Sequence, residues 1–115
     1  SDALLGAACL GDIGEHFPDT QKKYKGISSL RLLERVAALL KKKKYSVCNV
    51  DIMLLLEAPK IAPYKTKMRR LIAGALGINS ESVSIKATTH EGTGEIGRGQ
   101  AAAAYAVALL DRRGV

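Results

Sequence analysis

The strongest constraint on this chain is a change of hydrophobic period at residue 45. Before it, Leu30, Leu33, Val36, Ala37 and Leu40 recur three and four residues apart. That spacing places them on one face of a helix. After it, Val47, Val50, Ile52, Met53, Leu54, Leu55 and Leu56 crowd into a β-branched and aliphatic run. Residues 45–56 therefore read as a long, mostly buried strand. Ser28 or Ser29 can cap the helix, which runs through about Lys43.

The rest of the chain follows the same grammar. Pro59 ends the strand, and Pro63, lacking an N–H, suits the first turn of a second helix. That helix turns Met68, Leu71, Ile72, Ala75 and Leu76 inward and stops at Gly77. Over 82–88, Val83, Ile85 and Ala87 alternate with Ser82, Ser84 and Lys86, the two-residue period of a strand. Residues 1–10 are small and apolar and read as the end of a helix stopped by Gly11 and Gly14. Residues 11–27 read as a loop. Residues 101–110 are alanine-rich and look helical by propensity alone.

Composition narrows the class. A chain of 115 residues suits one domain. Hydrophobic residues make up 47%, which excludes a disordered chain. No apolar run reaches the roughly 18 residues of a membrane span. Cys9 and Cys48 have no metal-ligand spacing and read as small core residues in a reducing compartment. The net charge of +7 attracts nucleic acid, anionic membranes or phosphorylated small molecules. Lys41, Lys42, Lys43 and Lys44 form the densest basic cluster, but they follow a helix, where they favour the negative end of its dipole. A solvated helix end is preferred to an RNA contact, because the few Tyr and Phe residues are too scattered for base stacking. Asp2 and Asp51 read as structural polar groups.

The chemistry concentrates between Lys86 and Arg98. Thr88, Thr89, Glu91, the glycine-rich turn with Gly92 and Gly94, and Arg98 lie within this stretch. Hydroxyls and backbone N–H groups bond phosphate oxygens. A carboxylate repels them unless a divalent cation sits between. Glu91 beside Thr88 and Thr89 thus suggests a phosphate–metal site. The plainer alternative is a strand ending in a polar loop.

Further motifs occur in order: Gly11-Asp12-Ile13-Gly14, Phe17-Pro18-Asp19-Thr20, Asn49-Val50-Asp51, Glu57-Ala58-Pro59-Lys60, Lys86-Ala87-Thr88-Thr89 and Gly97-Arg98-Gly99. Each is weak alone. The series, from Ser1 to about Leu110, resembles the 2-C-methyl-D-erythritol 2,4-cyclodiphosphate synthase family. The resemblance implies an α/β sandwich, a mixed sheet packed on helices, as the subunit of a homotrimer. It also implies a strand rather than a helix over 101–110, and we follow it there.

The implied reaction converts 4-diphosphocytidyl-2-C-methyl-D-erythritol 2-phosphate to the 2,4-cyclodiphosphate with release of CMP, in the non-mevalonate isoprenoid pathway. By the resemblance, Thr89 and Glu91 are catalytic. Glu91 would hold Mg²⁺ or Mn²⁺ between the α- and β-phosphates, and Thr89 would donate to them. Thr88 and Ala87 would contact the nucleotide. His90 stands where the family usually has a third Thr, and three roles are open to it: phosphate donor, extra metal ligand or solvent-facing residue. Leu56, Glu57, Ala58, Pro59, Lys60, Ile61 and Ala62 would form the cytosine pocket, read by main-chain groups on a turn fixed by Pro59. Asp12, Ile13 and Gly14 would receive ribose or methylerythritol hydroxyls. Phe17, Pro18, Asp19 and Thr20 would wall the erythritol phosphate, with Gln21 where a second Asp is usual. Glu95 replaces a common aromatic near the three-fold cavity and is expected to compete for Arg98, which could hold an anion on the axis.

The resemblance also implies Zn²⁺, held by an Asp-x-His pair and a further His upstream of Ser1. The chain is accordingly expected to lack the amino-terminal part of its domain and to be inactive alone. The active sites are expected between adjacent subunits, with the metal side of the phosphates on one and the cytidine pocket on the next. No nucleic-acid or membrane partner is expected. The location would be cytoplasmic in a bacterium and plastid in a plant or apicomplexan. The alternatives are a non-catalytic CDP- or CMP-binding module without zinc, and a basic RNA-associated domain.

Overall fold

A computed structural model describes residues 1–18, 20–22 and 26–112. The elements run α1 (Asp2–Ala7), α2 (Ile13–His16), α3 (Ser29–Lys42), β1 (Tyr45–Leu55), α4 (Lys65–Leu76), β2 (Val83–Thr88), α5 (Gly94–Gly97) and β3 (Ala103–Arg112). Single 3₁₀ turns at Ala62–Tyr64 and Ser80–Ser82 introduce α4 and β2.

Local chemistry accounts for the ends of these elements. The Ser28 hydroxyl accepts from the Arg31 N–H and caps α3. Pro63 sits in the 3₁₀ turn that leads into α4. Gly77 closes α4 in the left-handed region at φ 69°, where a Cβ would be penalised. The Lys41–Lys44 cluster is exposed around the end of α3, as a solvated helix terminus should be.

The three strands lie in the order β2-β1-β3, so β1 is central. It runs parallel to β2, in register from Val50 opposite Val83 to Leu55 opposite Thr88. It runs antiparallel to β3, from Tyr45 opposite Arg112 to Leu55 opposite Ala103. The sheet is mixed, and the alanine-rich final segment is a strand. Its helical propensity yields to pairing along β1, because tertiary context outweighs a few tenths of a kcal/mol per residue.

Two apolar clusters fasten the helices to one face of the sheet. Leu4, Leu5 and Ala8 pack with Val36, Leu40 and Val50. Ile61 and Ala73 pack with Val83 and Ile85. On the opposite face Tyr105, Val107 and Leu109 of β3 are 66%, 73% and 61% exposed. Lys86 reaches Asp51 there at 2.9 Å. The bond to Lys86 holds the Asp51 carboxyl below its ordinary range, against a smaller opposing effect of burial. Both groups are substantially exposed, so the pair adds little stability.

Four expectations are corrected. First, α1 is closed at Cys9 rather than at Gly11: Cys9 takes the left-handed position at φ 57°, and the Leu10 N–H returns to the Leu5 carbonyl. Second, the 11–27 segment contains a helical turn through Gly14. The Asp12 carboxylate caps it on the Glu15 N–H, and the Asp2 carboxylate accepts from the Ile13 N–H. Third, Leu71 is 45% exposed, and Ala73 is the fully buried residue of α4. The small side chain lets the helix approach the sheet closely. Fourth, both cysteines are exposed. Cys48 is the extra residue of a β-bulge between Val47 and Asn49. The bulge resets the alternation, so Val47 and Val50 both reach the core and Cys48 does not.

Candidate active site

The parallel pairing decides where the site residues meet. Leu55 and Thr88 lie opposite one another at the carboxyl ends of β1 and β2. Ligands of sheets with parallel strands gather beyond those ends, where the chain turns away from the sheet. The turn over 56–62 and the loop over 88–92 therefore leave the sheet side by side. The Leu56 N–H bonds the Thr88 carbonyl at 3.1 Å, extending the ladder by one step.

Next along, the Glu57 carboxylate crosses between the two segments. One oxygen accepts from the His90 N–H at 3.3 Å and the other from the Gly92 N–H at 3.2 Å. The side chain of Glu57 thus ties the two segments together, a role that sequence reading, which assigned it main-chain contacts, did not foresee. Its identity gave no signal. Only the register of β1 on β2 reveals it.

The 88–98 loop is tightly specified. The Thr89 hydroxyl accepts from the Glu91 N–H at 3.2 Å. The Thr93 hydroxyl and N–H both donate to the His90 carbonyl. Glu91 itself is left-handed at φ 52°, an uncommon state for a residue with a side chain. A Cβ on Gly97 would meet the Gly92 carbonyl carbon at 2.3 Å, so only glycine fits where α5 passes under the turn.

The result is a ledge with directed groups. Thr88, Thr89 and Glu91 are exposed, and His90 is half-buried. Among the described residues the Glu91 carboxylate has no hydrogen-bond or salt-bridge partner. The Thr89 oxygen accepts from within the loop, which leaves its hydrogen to donate outward. Ile61 is buried and anchors its turn, while Ala58, Pro59, Lys60 and Ala62 are exposed; Ala87, one residue before the end of β2, is exposed too. The Ala58–Pro59 peptide is cis. Arg98 donates to the Gln100 side chain at 3.4 Å.

The segment from Asp12 to Gln21 lies elsewhere. Ile13 and Phe17 pack against the α1–α3 cluster, and α1 contacts β3, the strand at the far edge of the sheet from β2. Asp12 spends one oxygen on its helix cap. Pro18 is half-buried, and Thr20 and Gln21 are exposed. Asp19 lies outside the described residues. Within this chain the 56–62 turn and the 88–92 loop lie side by side, and the Asp12 segment lies at the other edge of the sheet.

A single carboxylate with nearby hydroxyls suits Mg²⁺ or Mn²⁺, which are held by one or two carboxylates plus substrate phosphates and water. A zinc triad is a different matter. Among the described residues no three His, Cys, Asp or Glu side chains converge to hold a metal. These residues do not fit Zn²⁺.

Comparison with known protein families matches residues 1–111 to the YgbB family. The chain belongs to that family. A family member from Chlorobium luteolum, the 2-C-methyl-D-erythritol 2,4-cyclodiphosphate synthase, is 60% identical over 111 residues, which cover 96% of this chain and 71% of the relative. Among solved structures, the bifunctional IspDF from Campylobacter jejuni superposes with a TM-score of 0.91 at 37% identity, covering 96% of this chain and 30% of that one. The CDP complex of IspF from Plasmodium falciparum gives 0.84 at 33% identity, covering 96% of this chain and 66% of that one. The RNA-associated and purely nucleotide-binding alternatives are not favoured by these relatives. No helix among the described residues is long and apolar enough to cross a membrane.

Proposed function

We propose that this YgbB-family chain converts 4-diphosphocytidyl-2-C-methyl-D-erythritol 2-phosphate to 2-C-methyl-D-erythritol 2,4-cyclodiphosphate and CMP, as its named relatives do. It is a lyase reaction of the non-mevalonate isoprenoid pathway. The observation that carries the reading is the meeting of the 56–62 turn with the 88–92 loop beyond two paired parallel strands.

In the reaction a 2-phosphate oxygen attacks the β-phosphorus. The bond from that phosphorus to the oxygen bridging it to the α-phosphorus breaks, and CMP leaves with that oxygen. Three anionic groups converge, so the barrier is largely electrostatic and positioned donors lower it. The Thr89 hydroxyl supplies such a donor, aimed outward from its turn. Main-chain groups of 56–62 offer both acceptor and donor to the cytosine edge. Glu91 would hold the Mg²⁺ or Mn²⁺, which when bound offsets phosphate charge. Asp12 and its neighbours, displaced to the far edge of the sheet, would serve the site of an adjacent subunit. The open apolar face of β3 supports a homotrimer with its sheets inward. We place the enzyme in the cytoplasm, the reading that its similarity to bacterial proteins supports.

The test is calorimetry with CDP, CMP, AMP and UMP, together with an assay of CMP release from the diphosphocytidyl substrate by this chain and by one extended upstream with the zinc ligands, turnover being expected of the second. The cytidine nucleotides should bind in preference, and Glu91→Gln should weaken CDP in Mg²⁺ about tenfold more than CMP, because a diphosphate chelates the ion and a monophosphate does not. Equal response to all four nucleotides, or equal losses for CDP and CMP, would contradict the reading.

A further inference from the structure

We propose that Glu57 is a positioning residue whose carboxylate sets the aim of Glu91 and couples the cytosine turn to the phosphate–metal loop. The inference rests on the functional reading above. Glu57 follows the end of β1, and its two oxygens receive the N–H groups of His90 and Gly92, the residues on either side of Glu91. Glu91 sits at φ 52°, a conformation that persists only where its surroundings hold it. The Thr89 hydroxyl holds the Glu91 N–H, and Glu57 holds the next donor on each side. Three consecutive backbone N–H groups are thus directed by side chains, two of them by one carboxylate.

The charge matters as well as the geometry. Hydrogen bonds from N–H groups to a carboxylate are stronger than those to a neutral acceptor. Because both oxygens face the loop backbone, Glu57 is not spent on substrate or metal. It acts through Glu91. A ligand that orders the 56–62 turn also seats Glu57, and so preorganises the metal carboxylate on the neighbouring loop. Binding at one end of a cytidine diphosphate therefore favours binding at the other.

The experiment compares the unaltered chain with Glu57→Ala and Glu57→Gln. Calorimetry measures CDP with Mg²⁺, CDP with EDTA, and CMP with EDTA. Amide hydrogen exchange follows His90 and Gly92 without ligand. Glu57→Ala should cut the Mg²⁺-dependent gain in CDP affinity about tenfold, leave CMP within about twofold, and expose both amides, since two hydrogen bonds to a charged acceptor are lost. Glu57→Gln keeps one carbonyl acceptor and should recover part of the gain. An unchanged Mg²⁺ gain in Glu57→Ala overturns the proposal. So does an equal loss for CDP and CMP accompanied by a lower melting temperature, which marks a merely structural role. If the unaltered chain shows no Mg²⁺-dependent CDP binding, the functional reading fails by itself. Unprotected His90 and Gly92 amides in the unaltered chain would instead show that the strap does not exist.

Discussion

Gly97 shows how much of the site hangs on single atoms. It is buried, and the place of its missing Cβ is filled by the backbone of Gly92. Gly97→Ala must push the 91–92 turn outward. Overpacking of this kind costs about 1–3 kcal/mol. The expected signature is a lowered melting temperature together with loss of the Mg²⁺-dependent part of CDP binding. CMP binding should be less affected, because the 56–62 turn is anchored separately by buried Ile61. Calorimetry with both ligands checks this, and an unperturbed CDP response would show that the turn tolerates the shift.

Among the elements, α3 is the one whose stability can be adjusted without touching the site. It contributes Val36 and Leu40 to the first core cluster, and its first turn is held by the Ser28 hydroxyl on the Arg31 N–H. Ser28→Ala removes that cap and should destabilise the fold by about 0.5–2 kcal/mol. Urea denaturation should show a lower midpoint with an unchanged slope, and nucleotide affinity should be retained. A change in CDP affinity would mean that α3 communicates with the ledge. The strands carry a different lesson. β1 and β2 position chemistry through register alone, since slipping the pairing by one residue would turn Val83 and Ile85 out of the core.

For the whole molecule, the helices cover one face of the sheet and leave the other bare among the described residues. Tyr105, Val107 and Leu109 stand on the bare face, an apolar row that association would remove from water. Light scattering should find three subunits per particle. Val107→Asp combined with Leu109→Lys should dissociate them and weaken CDP binding, if the Asp12 segment of one subunit completes the site of another. A monomeric unaltered chain, or unchanged CDP affinity in the dissociated variant, would refute this arrangement.

Local patterns carried the elements. The 30–40 periodicity, the aliphatic run after 45 and the alternation over 82–88 are short-range consequences of side-chain geometry, and helices and strands stand where they predict. Gly77 as a helix stop was legible because a left-handed residue favours glycine. Glu91 was legible as a candidate ligand because a carboxylate among phosphate-binding hydroxyls calls for a cation. What escaped was everything that depends on which chain segments become neighbours. Cys48 was placed in the core because the bulge beside it exists only through pairing with β3. The alanines after 100 favour a helix by propensity alone; the strand expected there came from the family resemblance, and pairing along β1 holds it. Glu57 reads as an ordinary turn residue until parallel pairing brings His90 and Gly92 to its oxygens. Propensity and periodicity act within a few residues, whereas register is set by burying both sheet and helix faces at once, and that long-range condition is what assembles the site.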